Sequence, residues 1–220
     1  MNTASQLRSE AVIAFIDLAG FSASTDVYGD DLAFAMLNLF EDIVHDSLGD
    51  TAPLKWIGDE VMLAFEDCST ALTLLGVLLG RCRSESRIPL TRTGVHSGSV
   101  LRRGGDVFGA TVNIAARLTA LAGPGELLTT QEMADTATKS GVSVEDRGEH
   151  QIRSVSSPVR VYAISVGPAV DPRWIDPVCK MHAPLAAYSR ADGERWFCSP
   201  LCADAYARNP MAYAGYEKRK

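Results

Sequence analysis

The sequence has no apolar run long enough to cross a bilayer. Its longest, ALTLLGVLLG at 71–80, falls far short of the ~20 residues a spanning helix needs. The opening MNTASQLRSE lacks the apolar core of a secretory signal, so a cytoplasmic protein with no membrane partner is expected. There is no long basic stripe either, and a net charge of -6 argues against nucleic acid as a partner. No internal repeat and no low-complexity tract is found. Cysteine is scarce: five residues, an odd number, which in a cytoplasmic chain points away from a disulfide framework and toward metal or redox chemistry. Cys68 and Cys82 stand singly in an apolar helical stretch and read as small buried hydrophobes, whereas Cys179, Cys198 and Cys202 crowd into the last fifth of the chain.

What is present suits a globular protein. The chain is 46% apolar and 22% charged, and its 220 residues allow one good core with a smaller appendage. AVIAFID (11–17) is a β-branched and aromatic run ending on an aspartate, a buried strand. DDLAFAMLNLFEDIVHDSL (30–48) has helical apolar spacing, and LKWI and VMLAF flank a Gly-Asp turn as a hairpin. The helix STALTLLGVLLGRC, the strand RTGVHSGSVLRR and the glycine-closed helix ATVNIAARLTALAG follow, then ELLTT and strands near 143–147, 150–154 and 159–164. This β-α-β-β-α-β order predicts an α+β, ferredoxin-like fold: one antiparallel sheet with helices on one face. SVGPAVDPRWIDP (165–177) is rich in proline and without periodicity, which marks a boundary. Residues 1–173 carry 14 basic and 22 acidic side chains, and residues 174–220 carry 7 and 5. We therefore divide the chain into 1–166, a linker at 167–175, and a small module at 176–217.

Three segments carry chemistry. In FIDLAGFS (15–22), Asp17 ends a strand before a tight glycine turn into a helix, which sets a carboxylate beside free backbone N–H groups. Such amides attract phosphate and the carboxylate holds its magnesium, although a simple helix N-cap would look the same. In LKWIGDEVM (54–62), Lys55 and Asp59 are four residues apart, as a salt bridge at a hairpin neck would have them. The sheet can bring Asp59 beside Asp17, and two converging carboxylates need a cation, as two-metal phosphoryl-transfer sites do. In GDVFGATVNIAARL (105–118), Asn113 and Arg117 share a helix face and suit a sugar oxygen and a phosphoryl group, or serve merely as surface residues.

FIDLAGFS, KWIGDE, RTGVHSG and GDVFGATVNIAARL resemble, in order and spacing, the signature motifs of the class III nucleotide cyclase catalytic domain, over roughly residues 10–165. The resemblance implies two Mg2+ or Mn2+ ions per site, held by Asp17, Asp59 and the adjoining Leu18, with Gly20 and Phe21 at the substrate. It implies that Lys55 and Asp106 read the base, and that Asn113 and Arg117 orient the ribose and stabilise the transition state. Arg153 falls where the family usually carries a triphosphate-binding lysine. The implied partners are a nucleoside triphosphate and a second copy of the chain, since such sites are shared across a homodimer. Lys55 and Asp59 then face different sites. The implied activity is conversion of ATP to 3′,5′-cyclic AMP and pyrophosphate. A cyclase acting on another nucleotide, or an idle cyclase-like scaffold, remains the alternative.

The tail segments DPVCKMHAPL (176–185) and RWFCSPLCADAYARNPMAYAG (195–215) resemble a YHS domain, related to metal-trafficking and metal-sensing modules. Ser199-Pro200 reads as a helix start, which places Cys198 just before the helix and Cys202 in its first turn, where thiolate is favoured. Cys179 would add a third sulfur and His182 a fourth ligand, for Zn2+, Cu+ or iron. A small packing or docking domain is the other reading.

Overall fold

The structure, a computed structural model, describes residues 7–153, 155–183 and 195–213. Strand β1 (Leu7–Leu18) is central, paired antiparallel to β3 (Glu60–Phe65) on one side and to β4 (Thr91–Arg103) on the other. With β2 (Lys55–Ile57), β6 (Leu127–Thr129), β7 (Val144–His150) and β8 (Val159–Ile164) the order is β2-β3-β1-β4-β6-β8-β7, and β5 (Asp106–Phe108) pairs with the end of β4. The hairpin at 55–65 forms as expected. Gly58 takes φ 64, which admits the two-residue turn that the Gly-Asp pair signals.

Two features depart from the all-antiparallel, one-faced expectation. The β4–β6 pair is parallel, so the sheet is mixed. Parallel neighbours need a long crossover, and α4 (Ala110–Leu121) is that crossover. It also packs on the opposite face from α2 (Asp30–Leu48), α3 (Cys68–Ser84) and α5 (Gln131–Lys139), so both faces are covered. Alternation along β1 serves the two layers. Val12, Ala14, Ile16 and Leu18 face α2 and α3, while Ala11, Ile13 and Phe15 face α4.

The larger layer is built on Phe40, Leu75, Leu78 and Leu79, all fully buried or nearly so, each contributing about 1.5–3 kcal/mol by burial. The α4 layer depends on a close approach. A Cβ on Gly94 of β4 would lie 2.2 Å from the Thr119 amide nitrogen and 2.3 Å from the Ala115 carbonyl oxygen. Only glycine lets α4 seat so deeply, and that seating fixes where Asn113 and Arg117 stand.

Elements missed by periodicity have physical reasons. The helix α5 is polar except for Met133, Ala134 and Ala137, whose small buried face gives little signal. The strands expected at 143–147 and 150–154 are instead one strand ending at His150, with a register shift between Asp146 and Gly148 that breaks the alternation.

The segment after β8 does not hang free. Arg83 of α3 donates to the Pro168 carbonyl at 3.2 Å and to the Gly125 carbonyl. The turn at 176–180 and α6 (Pro200–Arg208) then close a small apolar cluster of Val178, Cys179, Cys202 and Ala205. This cluster packs on Ala23, Val27 and Tyr28 of α1 (Phe21–Tyr28). Ser199 caps α6, its hydroxyl accepting from the Cys202 amide at 3.3 Å, as the Ser-Pro signal implies.

Candidate active site

Asp17 ends β1, level with Glu60 on β3 and Arg92 on β4, so three charged side chains stand abreast on one face. Asp17 is only 8% exposed and accepts an ion-paired hydrogen bond from Arg92. Burial still outweighs that cation and raises its pKa. Asp59, from the hairpin turn, comes into hydrogen-bond reach of Asp17, and burial plus the Asp17 charge push it up to about 6. The same two causes push Glu60 up to about 7. Three carboxylates therefore share one partly buried spot where Arg92 offsets at most one charge. Ionising all three there is unfavourable without a further cation, so the donor set fits a divalent ion. The structure thus unites Asp17 and Asp59 as the motifs imply. It adds Arg92 and Glu60, which sequence reasoning passed over although both are strand neighbours of Asp17.

Gly20 follows in a left-handed conformation, φ 75, and opens α1, whose first-turn N–H groups lack intrahelical partners and suit phosphate oxygens. Leu18 is buried beneath this turn.

Lys55 does not pair with Asp59. Its ammonium reaches Asp106 at the start of β5, with Nζ 3.0 and 2.8 Å from the two carboxylate oxygens. That hydrogen bond, assisted by the Val107 amide, lowers the Asp106 pKa although the pair is about one-third exposed. Asn113 and Arg117 lie one turn apart on the outer side of α4, both exposed and with no side-chain partner among the described residues. Arg153 is exposed in the turn after β7, likewise without a partner there. No hydrogen bond or ion pair links Asp17 or Asp59 to Lys55, Asp106, Asn113 or Arg117 among the described residues. A cavity of about 770 Å³ beside the C-terminal segment, bordered by Arg83, Arg147 and Tyr206, is lined by none of them. Among the described residues the carboxylate spot and the Lys55–Asp106 pair are thus joined by no direct polar contact. Exposed apolar side chains stand next to them: Ile57 is 50% exposed and Phe108 48%.

A second cluster lies in the tail. The ligand atoms of Asp176, Cys179, Cys198 and Cys202 all fall within 4.8 Å of one another. The sulfurs of Cys179 and Cys198 are 3.3 Å apart and those of Cys198 and Cys202 3.7 Å. A tetrahedron with metal–sulfur bonds of about 2.3 Å has edges of about 3.8 Å, so the donor set fits a thiolate-bound cation. The group that lies with the three sulfurs is Asp176; His182, expected there, is not among these clustered ligand atoms. Asp176 is fully buried and accepts from the amides of Val178 at 2.7 Å and Cys198 at 2.7 Å, tying the two cysteine loops together. Hydrogen bonds from Cys179 and Cys198 hold the Cys202 thiol far below its usual range, while the hydrogen bonds Cys179 makes to Cys198 and Cys202, together with burial, push Cys179 up.

A family profile described as the adenylate and guanylate cyclase catalytic domain matches residues 3–166. The chain belongs to the class III adenylate/guanylate cyclase catalytic-domain family. It is 32% identical over 139 residues to an adenylate cyclase of Streptomyces griseus, covering 62% of this chain and 35% of that protein. It is also 30% identical over 170 residues to a pH-sensitive adenylate cyclase of Mycobacterium tuberculosis, covering 72% and 41%. The chain thus spans well under half the length of these curated relatives. Among solved structures, an adenylate/guanylate cyclase/hydrolase from Silicibacter pomeroyi superposes with a TM-score of 0.66 at 21% identity, over 75% of this chain and all of that one. The adenylyl cyclase CyaB from P. aeruginosa gives 0.61 at 21%, over 74% and 97%. These likenesses establish the α+β cyclase fold. No helix among the described residues is long and apolar enough to cross a membrane.

Proposed function

We propose that the chain converts ATP to 3′,5′-cyclic AMP and pyrophosphate, as a homodimer whose sites are each completed by both chains. The observation that carries this is the gathering of Asp17 and Asp59 into one partly buried carboxylate spot, beside the first-turn amides of α1. Two Mg2+ or Mn2+ ions fit Asp17, Asp59 and the Leu18 carbonyl, and when bound they lower the pKa of the ribose 3′-hydroxyl and neutralise the triphosphate. The turn at Gly20–Phe21 receives phosphate oxygens, and Arg153 adds positive charge near the triphosphate. From the partner chain, Asn113 orients the ribose and Arg117 meets the charge that builds on the α-phosphate.

Base choice follows from hydrogen-bond polarity. Adenine offers an amine donor to Asp106 and a ring-nitrogen acceptor to Lys55, whereas guanine presents the reverse. The existing contact between these two side chains supports the reading, since a base edge can insert across a pair already held side by side. The C-terminal segment is read as a YHS-type module that binds a cation through Cys179, Cys198, Cys202 and Asp176. A carboxylate beside three thiolates favours Zn2+ over Cu+.

The test is incubation of the purified chain with each nucleoside triphosphate and Mn2+ or Mg2+, followed by mass analysis. Cyclic AMP as the main product is expected. Another cyclic nucleotide would overturn the base assignment, and no cyclic product would leave an idle cyclase-like scaffold.

A further inference from the structure

The helix α1 is gripped at both ends by the cysteine centre. At its N-terminal end, a Cβ on Gly20 would lie 2.9 Å from the Lys180 side chain, 3.2 Å from the Val178 carbonyl and 3.4 Å from the Cys179 carbonyl carbon. The backbone of one sulfur donor therefore rests directly on the turn proposed to hold the triphosphate. A hydrogen-bond relay reinforces that contact. The Lys180 carbonyl accepts from the Leu90 amide at 3.0 Å, and the Leu90 carbonyl accepts from Ala19 at 2.8 Å. Lys180 is nearly buried and holds a left-handed backbone, φ 58, that a lysine rarely adopts. At the other end of α1, the Tyr28 hydroxyl lies 2.9 Å from the Cys198 sulfur, 3.2 Å from that of Cys202 and 2.8 Å from the Ser199 hydroxyl. Between the two ends, Ala23 and Val27 pack against Val178, Cys179 and Cys202.

The loop of Cys179 and the loop of Cys198 and Cys202 are thus two jaws on one short helix, about 12 Å long. A cation bonded to all three sulfurs ties both jaws together at once. From this we infer that a cation in the cysteine centre and a nucleoside triphosphate at the Gly20–Phe21 turn bind cooperatively, with α1 as the coupling element. The inference rests on the cyclase and metal readings above. Coupling of this kind is reciprocal: each ligand tightens the other by the same factor.

The experiment uses the full chain, reduced and stripped of metal, with Mg2+ in excess to serve the carboxylate site. Co2+ is titrated and followed by thiolate-to-cobalt absorption in the near ultraviolet, with and without 3′-deoxy-ATP, which cannot cyclise. Saturating 3′-deoxy-ATP should tighten Co2+ by about 5- to 150-fold, and Co2+ should tighten 3′-deoxy-ATP equally in calorimetry. Tyr28→Phe should keep the absorption band while lowering that factor toward one. No thiolate–cobalt band would overturn the inference through the metal reading, and no nucleotide binding would overturn it through the cyclase reading. Binding of both ligands with a factor of one, or an undiminished factor in Tyr28→Phe, would overturn the α1 coupling itself.

Discussion

Replacing Asp59 with asparagine should make the metal-free protein more stable, an unusual outcome for a residue proposed to serve the reaction. Asp59 has a folded pKa near 6, against 3.8 for the free side chain. Between those values the folded state holds more protons than the unfolded one, so this group's contribution to stability falls as pH rises through the window. At pH 7.5 the carboxylate is ionised and held beside Asp17 at a net cost. Two pKa units correspond to roughly 3 kcal/mol, which partial exposure reduces to about 1–2 kcal/mol. For a chain of this size that is a gain of a few degrees in Tm. Calorimetry of wild type and Asp59→Asn in chelator, at pH 5 and pH 7.5, reads it directly. The variant should melt higher at pH 7.5, the difference should shrink at pH 5, and Mn2+ should stabilise the wild type far more than the variant. A lower Tm for Asp59→Asn at pH 7.5, or equal stabilisation of both by Mn2+, would refute the account of the carboxylate spot.

Three further outcomes are expected. Asp17→Ala and Arg117→Ala should each lose roughly 10²-fold or more in turnover, and mixing them under subunit exchange should restore activity, because one heterodimer site is intact; a mixture that exchanges and stays inactive counts against shared sites. Removing the charge in Asp106→Ala should cost roughly 10- to 100-fold in kcat/KM for ATP and narrow the preference over GTP, measured by competition between the two nucleotides. Gly94→Ala should destabilise by about 3 kcal/mol or more in denaturant titration, since the new methyl meets the backbone of α4 rather than a yielding side chain.

The strands and helices with strong apolar periodicity were readable in the sequence, as was the approach of Asp59 to Asp17. Periodicity says nothing about where a helix crosses a sheet, so the side taken by α4 and the parallel β4–β6 pair came only with the fold. Spacing alone sets Lys55 beside Asp59, whereas the motif resemblance groups it with Asp106, and the sheet does carry its ammonium to that carboxylate 51 positions away. Asp176 was passed over because Asp-Pro reads as turn chemistry, whereas burial turns the carboxylate toward the sulfurs. Tyr28 gave no signal at all, since its partners lie 170 and more residues downstream.

Ile57 and Phe108 stand half in water, the one in the hairpin that carries Asp59, the other on the strand that starts at Asp106. An interface between two copies at this surface would tie output to abundance. If each reaction centre needs two copies, product formation at concentrations below the dimer dissociation constant scales with the square of the chain's concentration. Doubling expression would then quadruple the signal, and modest dilution would silence it with no change in any residue.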